Sequence, residues 1–180
     1  MQVAATSAVS TPVSEAVLQR EVAPGIYELV YSPISKAVFV TSTEEVTSKG
    51  EPVHTRQIVV DEAANQIIVS GVTDLGFIWV IDGKTFSTNR ILRDIEAPTA
   101  GLTLDAANHR LLASGTAAYA VFDTQSWELV GENRIPEKLS LSDIRRRFLV
   151  NTALDGKSER LFANQLNNNE GTLVFDLQAL

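Results

Sequence analysis

The sequence predicts an all-β fold, a β-propeller built of four-stranded antiparallel blades, and three observations predict it. One pattern occurs three times: RQIVVDEAANQIIVSG with IWVIDGKTF (residues 56–86), AGLTLDAANHRLLASG with YAVFDTQSW (100–127), and VNTALDGKSERLFANQ with LVFDLQAL (150–180). Each copy is an apolar run, an Asp-led turn, a second apolar run, a loop, a third apolar run and another Asp-led turn. The turn residues Asp61, Asp105 and Asp155 stand 44 and 50 residues apart, and a period in the forties built from short strands is that of a propeller blade. The runs themselves are β-branched (Val59, Val60, Ile67, Ile68, Val69, Ile78, Val80, Ile81), which suits a pleated surface packed on both faces.

Taken in order, residues 1–15 read as a flexible arm of small and polar residues. Residues 16–22 (AVLQREV) alternate as an edge strand does. Pro24-Gly25 is a turn signal, and residues 26–31 and 37–41 form two strands around Ser32-Pro33-Ile34-Ser35. Residues 41–55 have no strand pattern and read as a long loop, so the first unit, 25–55, lacks its outer pair. The second unit, 56–95, is complete, with strands near 57–60, 66–70, 77–81 and 88–92. The third, 99–134, matches it at 101–104, 110–114, 118–122 and 128–133. Residues 136–147 (PEKLSLSDIRRR) are the one helical stretch, linking to a fourth unit, 148–180, with three strands. Residues 16–22 are the expected donor of its fourth. The propeller domain then spans 16–180 with about 3.5–4 blades, the low end for closure. An open or partial ring exposes inner-face edges and invites self-association.

With 180 residues and 44% hydrophobic content the chain can bury a core as one domain. A net charge of −7 argues against broad electrostatic capture of nucleic acid or anionic membrane. The absence of cysteine excludes disulfides, thiolate metal sites and cysteine nucleophiles. No apolar run is long enough to span a bilayer as a helix, so no membrane insertion is expected. The N-terminus lacks the basic and apolar regions of an intact signal peptide.

At GIYELVYS (25–32), IIVSG with IWVIDG (67–71 and 78–83) and GLTLDAANHRLL (101–112) the chain resembles the YVTN-type β-propellers, most closely the YncE-like exported proteins of bacteria. The resemblance runs from about residue 16 to the C-terminus. It implies seven blades in a full-length member, so this chain reads as a shortened one. It also implies an extracytoplasmic binding or scaffold protein without enzymatic activity, in the periplasm or otherwise exported, the cytoplasm being the alternative. Binding of single-stranded DNA enters by the same resemblance.

The recurring carboxylates Asp61, Asp82, Asp105, Asp123, Asp155 and Asp176 tempt an acid–base reading, but a group used identically in three copies is a turn device, accepting hydrogen bonds from turn N–H groups. His109 stands in such a turn, with Gln66 and Glu159 as its expected counterparts. His54 falls in the irregular stretch before a first strand. No second histidine stands at ligand spacing, so neither a metal nor a cofactor is expected, and no nucleophile motif is present. Propeller topology collects the starts of inner strands and the second-to-third-strand loops at one axial end, away from the Asp turns. These loops differ among units, as a binding surface on a repeated scaffold does. Its candidate contacts to an unidentified protein or small ligand are His54, Asp74, Glu96, Arg145, Arg146, Arg147, Asn167 and Asn168. The Arg triplet suits phosphate or carboxylate recognition and carries the alternative of single-stranded nucleic-acid binding, although cations at a helix C-terminus also offset its dipole. A second alternative is a propeller enzyme such as a lactonase, with His54 its general base. Trp79 is expected between blades, and Trp127 against an outer strand.

Overall fold

Small apolar runs separated by turns every few residues fold here into successive antiparallel meanders. The computed structural model describes residues 10–14, 17–20, 25–42, 45–46, 52–72, 76–95, 99–115, 118–134, 148–166 and 172–179. They form β1 (Ser10–Ser14), β2 (Val17–Arg20), β3 (Ile26–Ser32), β4 (Ala37–Ser42), β5 (Glu45–Val46), β6 (Pro52–Asp61), β7 (Gln66–Val72) and β8 (Gly76–Asp82). There follow β9 (Thr88–Ile95), β10 (Gly101–Asp105), β11 (Arg110–Ser114), β12 (Ala118–Asp123), β13 (Leu129–Arg134), β14 (Phe148–Asp155), β15 (Arg160–Leu166) and β16 (Thr172–Asp176). Two single 3-10 turns, Ala106–Asn108 and Leu177–Ala179, are the helical residues among those described.

Four sheets follow one another along the chain: β3-β4, β5-β6-β7-β8-β9, β10-β11-β12-β13 and β14-β15-β16. One strand of each stands beside one of the next, β3 by β6, β6 by β10 and β10 by β14. The sheets are therefore arranged radially, as propeller blades are. Their faces stack. Val30 and Phe39 of the first sheet pack on Ile58, Val69 and Trp79 of the second. Ile68, Ile78 and Val80 pack on Leu111, Ala113 and Phe122 of the third. Leu112, Tyr119 and Val121 pack on Leu161 of the fourth. Trp79 sits between blades as expected, and Trp127 is buried in the cluster between the second and third sheets.

A second set of contacts fixes how far each sheet slides on its neighbour. The Thr55 hydroxyl donates to the Ser42 carbonyl at 2.6 Å. Forty-four residues on, the buried Thr99 hydroxyl lies 2.9 Å from the Gly71 carbonyl and 3.1 Å from that of Phe77. In the fourth unit the same link is made by backbone, Leu149 N–H to the Gly115 carbonyl at 3.1 Å. Each donor stands six residues before a turn Asp (61, 105, 155). Each acceptor directly follows the hydroxyl residue at one equivalent position of the preceding second strand, Thr41, Ser70 or Ser114. At Gly71 the approach requires glycine, because a Cβ there would overlap the Phe77 ring.

Three expectations need correction. Residues 10–14 are not part of an arm but a strand, and Val17–Arg20 pairs with it (Ser10↔Arg20, Thr11↔Gln19) in a separate two-stranded sheet. It does not complete the last blade, whose sheet is β14-β15-β16. A hairpin closes a loop of a few residues, whereas pairing with β16 would close one spanning nearly the whole chain at greater entropic cost. The stretch 41–55 is not a uniform loop either. Glu45–Val46 pairs with the extended start of β6 (Glu45↔Val53, Val46↔Pro52). Pro52, which cannot donate to a ladder, stands at the first position of its strand, where it is tolerated. The expected helix at 136–147 lies outside the described residues.

Replacing the Thr99 hydroxyl by methyl removes a buried donor from the Gly71 and Phe77 carbonyls. Thr99→Val is expected to cost about 1–3 kcal/mol, read as a fall in the urea midpoint. The exposed pair Thr172–Asn164, at 2.9 Å, serves as control, and Thr172→Val is expected to stay within about 0.5 kcal/mol. Equal effects would remove the tie from the account.

Candidate functional site

The turn end of the arc is occupied by its own chemistry. Asp61 Oδ1 accepts from Ala64 N–H at 3.0 Å. Asp82 Oδ1 accepts from Lys84 and Thr85 N–H at 2.9 and 2.7 Å, and Asp123 Oδ1 from Gln125 and Ser126 N–H at 3.0 and 2.6 Å. Asp155 accepts from Lys157 N–H and the Ser158 hydroxyl, and Asp176 from Gln178 N–H. Hydrogen bonds to the charged form hold Asp82, Asp123 and Asp155 below the usual carboxylate range. Burial works against the charge of Asp105, but Asn108 and Arg110 outweigh it and its carboxyl is lowered too. The hairpins turn through a left-handed residue at equivalent places: Lys36, Asn65, His109 and Glu159, with φ of 53°, 51°, 53° and 52°. His109 is exposed, as a turn residue should be. Its counterpart is Asn65 rather than Gln66, because the conformational demand and not the side-chain type defines the position.

Between the third and fourth sheets this end has a depression of about 490 Å³ lined by Arg110, Val121, Val130, Glu159, Leu177 and Gln178. Arg110 lies 2.7 Å from Asp105 and 3.3 Å from Glu159. Its charge is thus matched by two carboxylates, one from each sheet. The depression is a seam closed by an ion-pair network rather than a vacant cation.

The opposite end is where the inner strands begin. In the first two units the inner strand carries a bulge, between Ile26 and Glu28 and between Thr55 and Ile58. A hydroxyl on the neighbouring strand accepts the displaced amide: Thr41 from Glu28 N–H at 3.1 Å and Ser70 from Gln57 N–H at 3.0 Å. The third unit pairs Gly101 with Ser114 without a bulge, and the buried Ser114 hydroxyl has no partner. Polar side chains at these positions reach the next sheet: Gln57 Oε1 accepts from Leu102 N–H, and the Thr103 and Thr152 hydroxyls bond each other. Glu28 is half-buried, which pushes its carboxyl upward. The Arg56 guanidinium lies 4.9 Å over the Tyr27 ring, within cation–π range. Glu28, Arg56 and Gln57 escaped sequence reading because they stand inside strands, and only their place in the radial arrangement distinguishes them.

Of the nominated residues, Asp74, Glu96, Arg145, Arg146, Arg147, Asn167 and Asn168 lie outside the described residues. His54 is not in an irregular loop but in β6, opposite Val72. Among the described residues no three His, Asp or Glu side chains gather as metal ligands do, and no helix is long and apolar enough to cross a membrane.

No family model matches the chain. Over 140 residues, 77% of its length, it is 27% identical to the uncharacterized protein YncE of Salmonella typhi and equally to that of Salmonella typhimurium. Over 121 residues it is 27% identical to YncE of Escherichia coli K12. It covers 38% and 32% of these proteins, so it spans well under half the length of the curated relatives it matches. A chain in the crystal structure of a mitotic checkpoint complex superposes with a TM-score of 0.58 at 12% identity, covering 83% of this chain and 42% of that one. That likeness bears on the fold alone. The expected similarity to YncE-like propellers stands.

The lowered Asp residues give the molecule an acid limb. Each is more acidic folded than in the unfolded chain, where a carboxyl titrates near ~3.9. Their contribution is complete above that value and is lost as pH falls through the folded pKa values. Glu28 has the opposite sign and only softens the effect. Urea midpoints are expected to fall steadily from about pH 5 downward. Asp155→Asn should lower the neutral-pH midpoint and flatten that slope; an unchanged slope would separate the turn bonds from acid stability.

Proposed function

We propose that this chain is a non-catalytic propeller module that binds a partner or ligand at its axial loop end. One observation carries the reading. At the turn end the polar groups repeat from unit to unit and are engaged with one another, whereas in sequence the connecting segments 73–75, 96–98, 116–117, 135–147 and 167–171 follow no repeat and differ in length. A scaffold that keeps its strands alike and varies one set of loops directs recognition there. Likeness to YncE supports a propeller repeat protein, and the binding role is our inference from the loops.

A photo-crosslinking amino acid placed singly at Glu96 or Asn168 is expected to trap adducts in extract of the source organism, and the same probe at Lys84 or Gln125 on the turn end is not. Adducts with labelled single-stranded DNA at Asn168, weakened by salt and lost on replacing Arg145, Arg146 and Arg147 by Ala, would assign the partner as nucleic acid. Trapping confined to the turn end, or equal at both ends, contradicts the proposal.

A further inference from the structure

The two ends of the arc present bare blade-packing surfaces. Pairing makes the positions equivalent: Asp61↔Gln66, Asp105↔Arg110, Asp155↔Arg160 and Ser32↔Ala37 align the four second strands. Val38 therefore corresponds to Ile67, Leu111 and Leu161, and Phe162 to Phe39, Ile68 and Leu112. In the second and third sheets the first set receives the preceding sheet: Ile67 is 4% exposed and Leu111 0%, whereas Val38 is 57% exposed. Leu29, the equivalent of Ile58 and Leu102 at 6% each, is 62% exposed. At the other end Leu112 and Val121 of the third sheet are 1% exposed, while their equivalents Phe162 and Val174 are 36% and 53% exposed. Phe162 and Val174 are directly paired across β15 and β16, and Tyr31 and Val38 across β3 and β4, so each bare surface is a contiguous sheet face.

We propose that a second copy of this chain covers both faces, the fourth sheet of each copy stacking on the first sheet of the other to close a two-copy ring. The contact needs no new chemistry. It repeats the stacking already present between consecutive sheets, with Phe162 and Val174 offered to Leu29, Tyr31 and Val38. Exposed apolar faces of this kind are the signature of an interface. Because offering and receiving surfaces lie at opposite ends of one chain, the contact is head-to-tail, and it closes only when the rotation per copy completes a circle. This inference is independent of what the axial loops bind.

Sedimentation equilibrium of the full chain is expected to show a species of twice the chain mass, dissociating on dilution. Leu29→Asp and Phe162→Asp place a charge in the contact and are each expected to weaken association on the order of a hundredfold. Circular dichroism should not change, since both positions face solvent within one copy. Val38→Glu and Val174→Glu are expected to behave alike. Mixing the Leu29→Asp and Phe162→Asp chains restores a weaker dimer, because one of its two contacts then joins two unaltered faces. A wild-type chain that stays monomeric overturns the proposal. So does a dimer that only one of the two substitutions disrupts, which marks a same-face contact, and so does one that neither affects.

Discussion

A sheet of two to five short strands cannot bury both of its faces alone, and that constraint organises everything else in this chain. Each sheet is covered by its neighbours in sequence, so the apolar content of a strand must serve both sides at once. Radial stacking follows, with β3, β6, β10 and β14 side by side. Apolar faces are slippery, however, and many offsets would bury similar area. The links from Thr55 to Ser42, Thr99 to Gly71 and Leu149 to Gly115 select one offset, because each forms only when its donor and acceptor on neighbouring sheets stand opposite each other. That they recur with the period of the turn Asp residues shows that register along the strand and register between sheets are set together.

Much of this was legible in the sequence. Repeating Asp turns and β-branched runs gave the sheets, their order and the reduced first unit, because a strand buried on both faces leaves a continuous apolar signature. What escaped lies where one residue plays a local role that composition does not mark. The β5–β6 pairing hides in a polar stretch whose strand character comes from its neighbours. Ser10–Ser14 captures Val17–Arg20 because proximity in sequence outweighs the periodic similarity that suggested a distant partner. His109 aligns with Asn65 through a shared left-handed backbone, which side-chain matching cannot see.

The candidate site was less legible, for a related reason. Repetition identifies what is structural, and the turn Asp residues behaved accordingly, each accepting hydrogen bonds in its own turn. The proposed recognition lies where the units differ, and difference has no pattern to read. The inner-strand residues Glu28, Arg56 and Gln57 illustrate the difficulty: in sequence they are ordinary polar breaks in a strand. In the fold they stand near the start of the inner strands, with one carboxyl raised by burial, one guanidinium resting on an aromatic ring and one amide bonded to the next sheet.

Residue-resolved hydrogen exchange under native conditions tests the central claim most directly, at the amides of Leu102 and Leu149, which bridge sheets, against that of Leu112 within the third sheet. If the links between sheets hold the arc in register, the bridging amides open only with the sheet itself and show the protection of Leu112. Exchange of Leu102 and Leu149 at the rate of a fraying strand end, with Leu112 still protected, would mean that the sheets slide freely and that the ties are incidental.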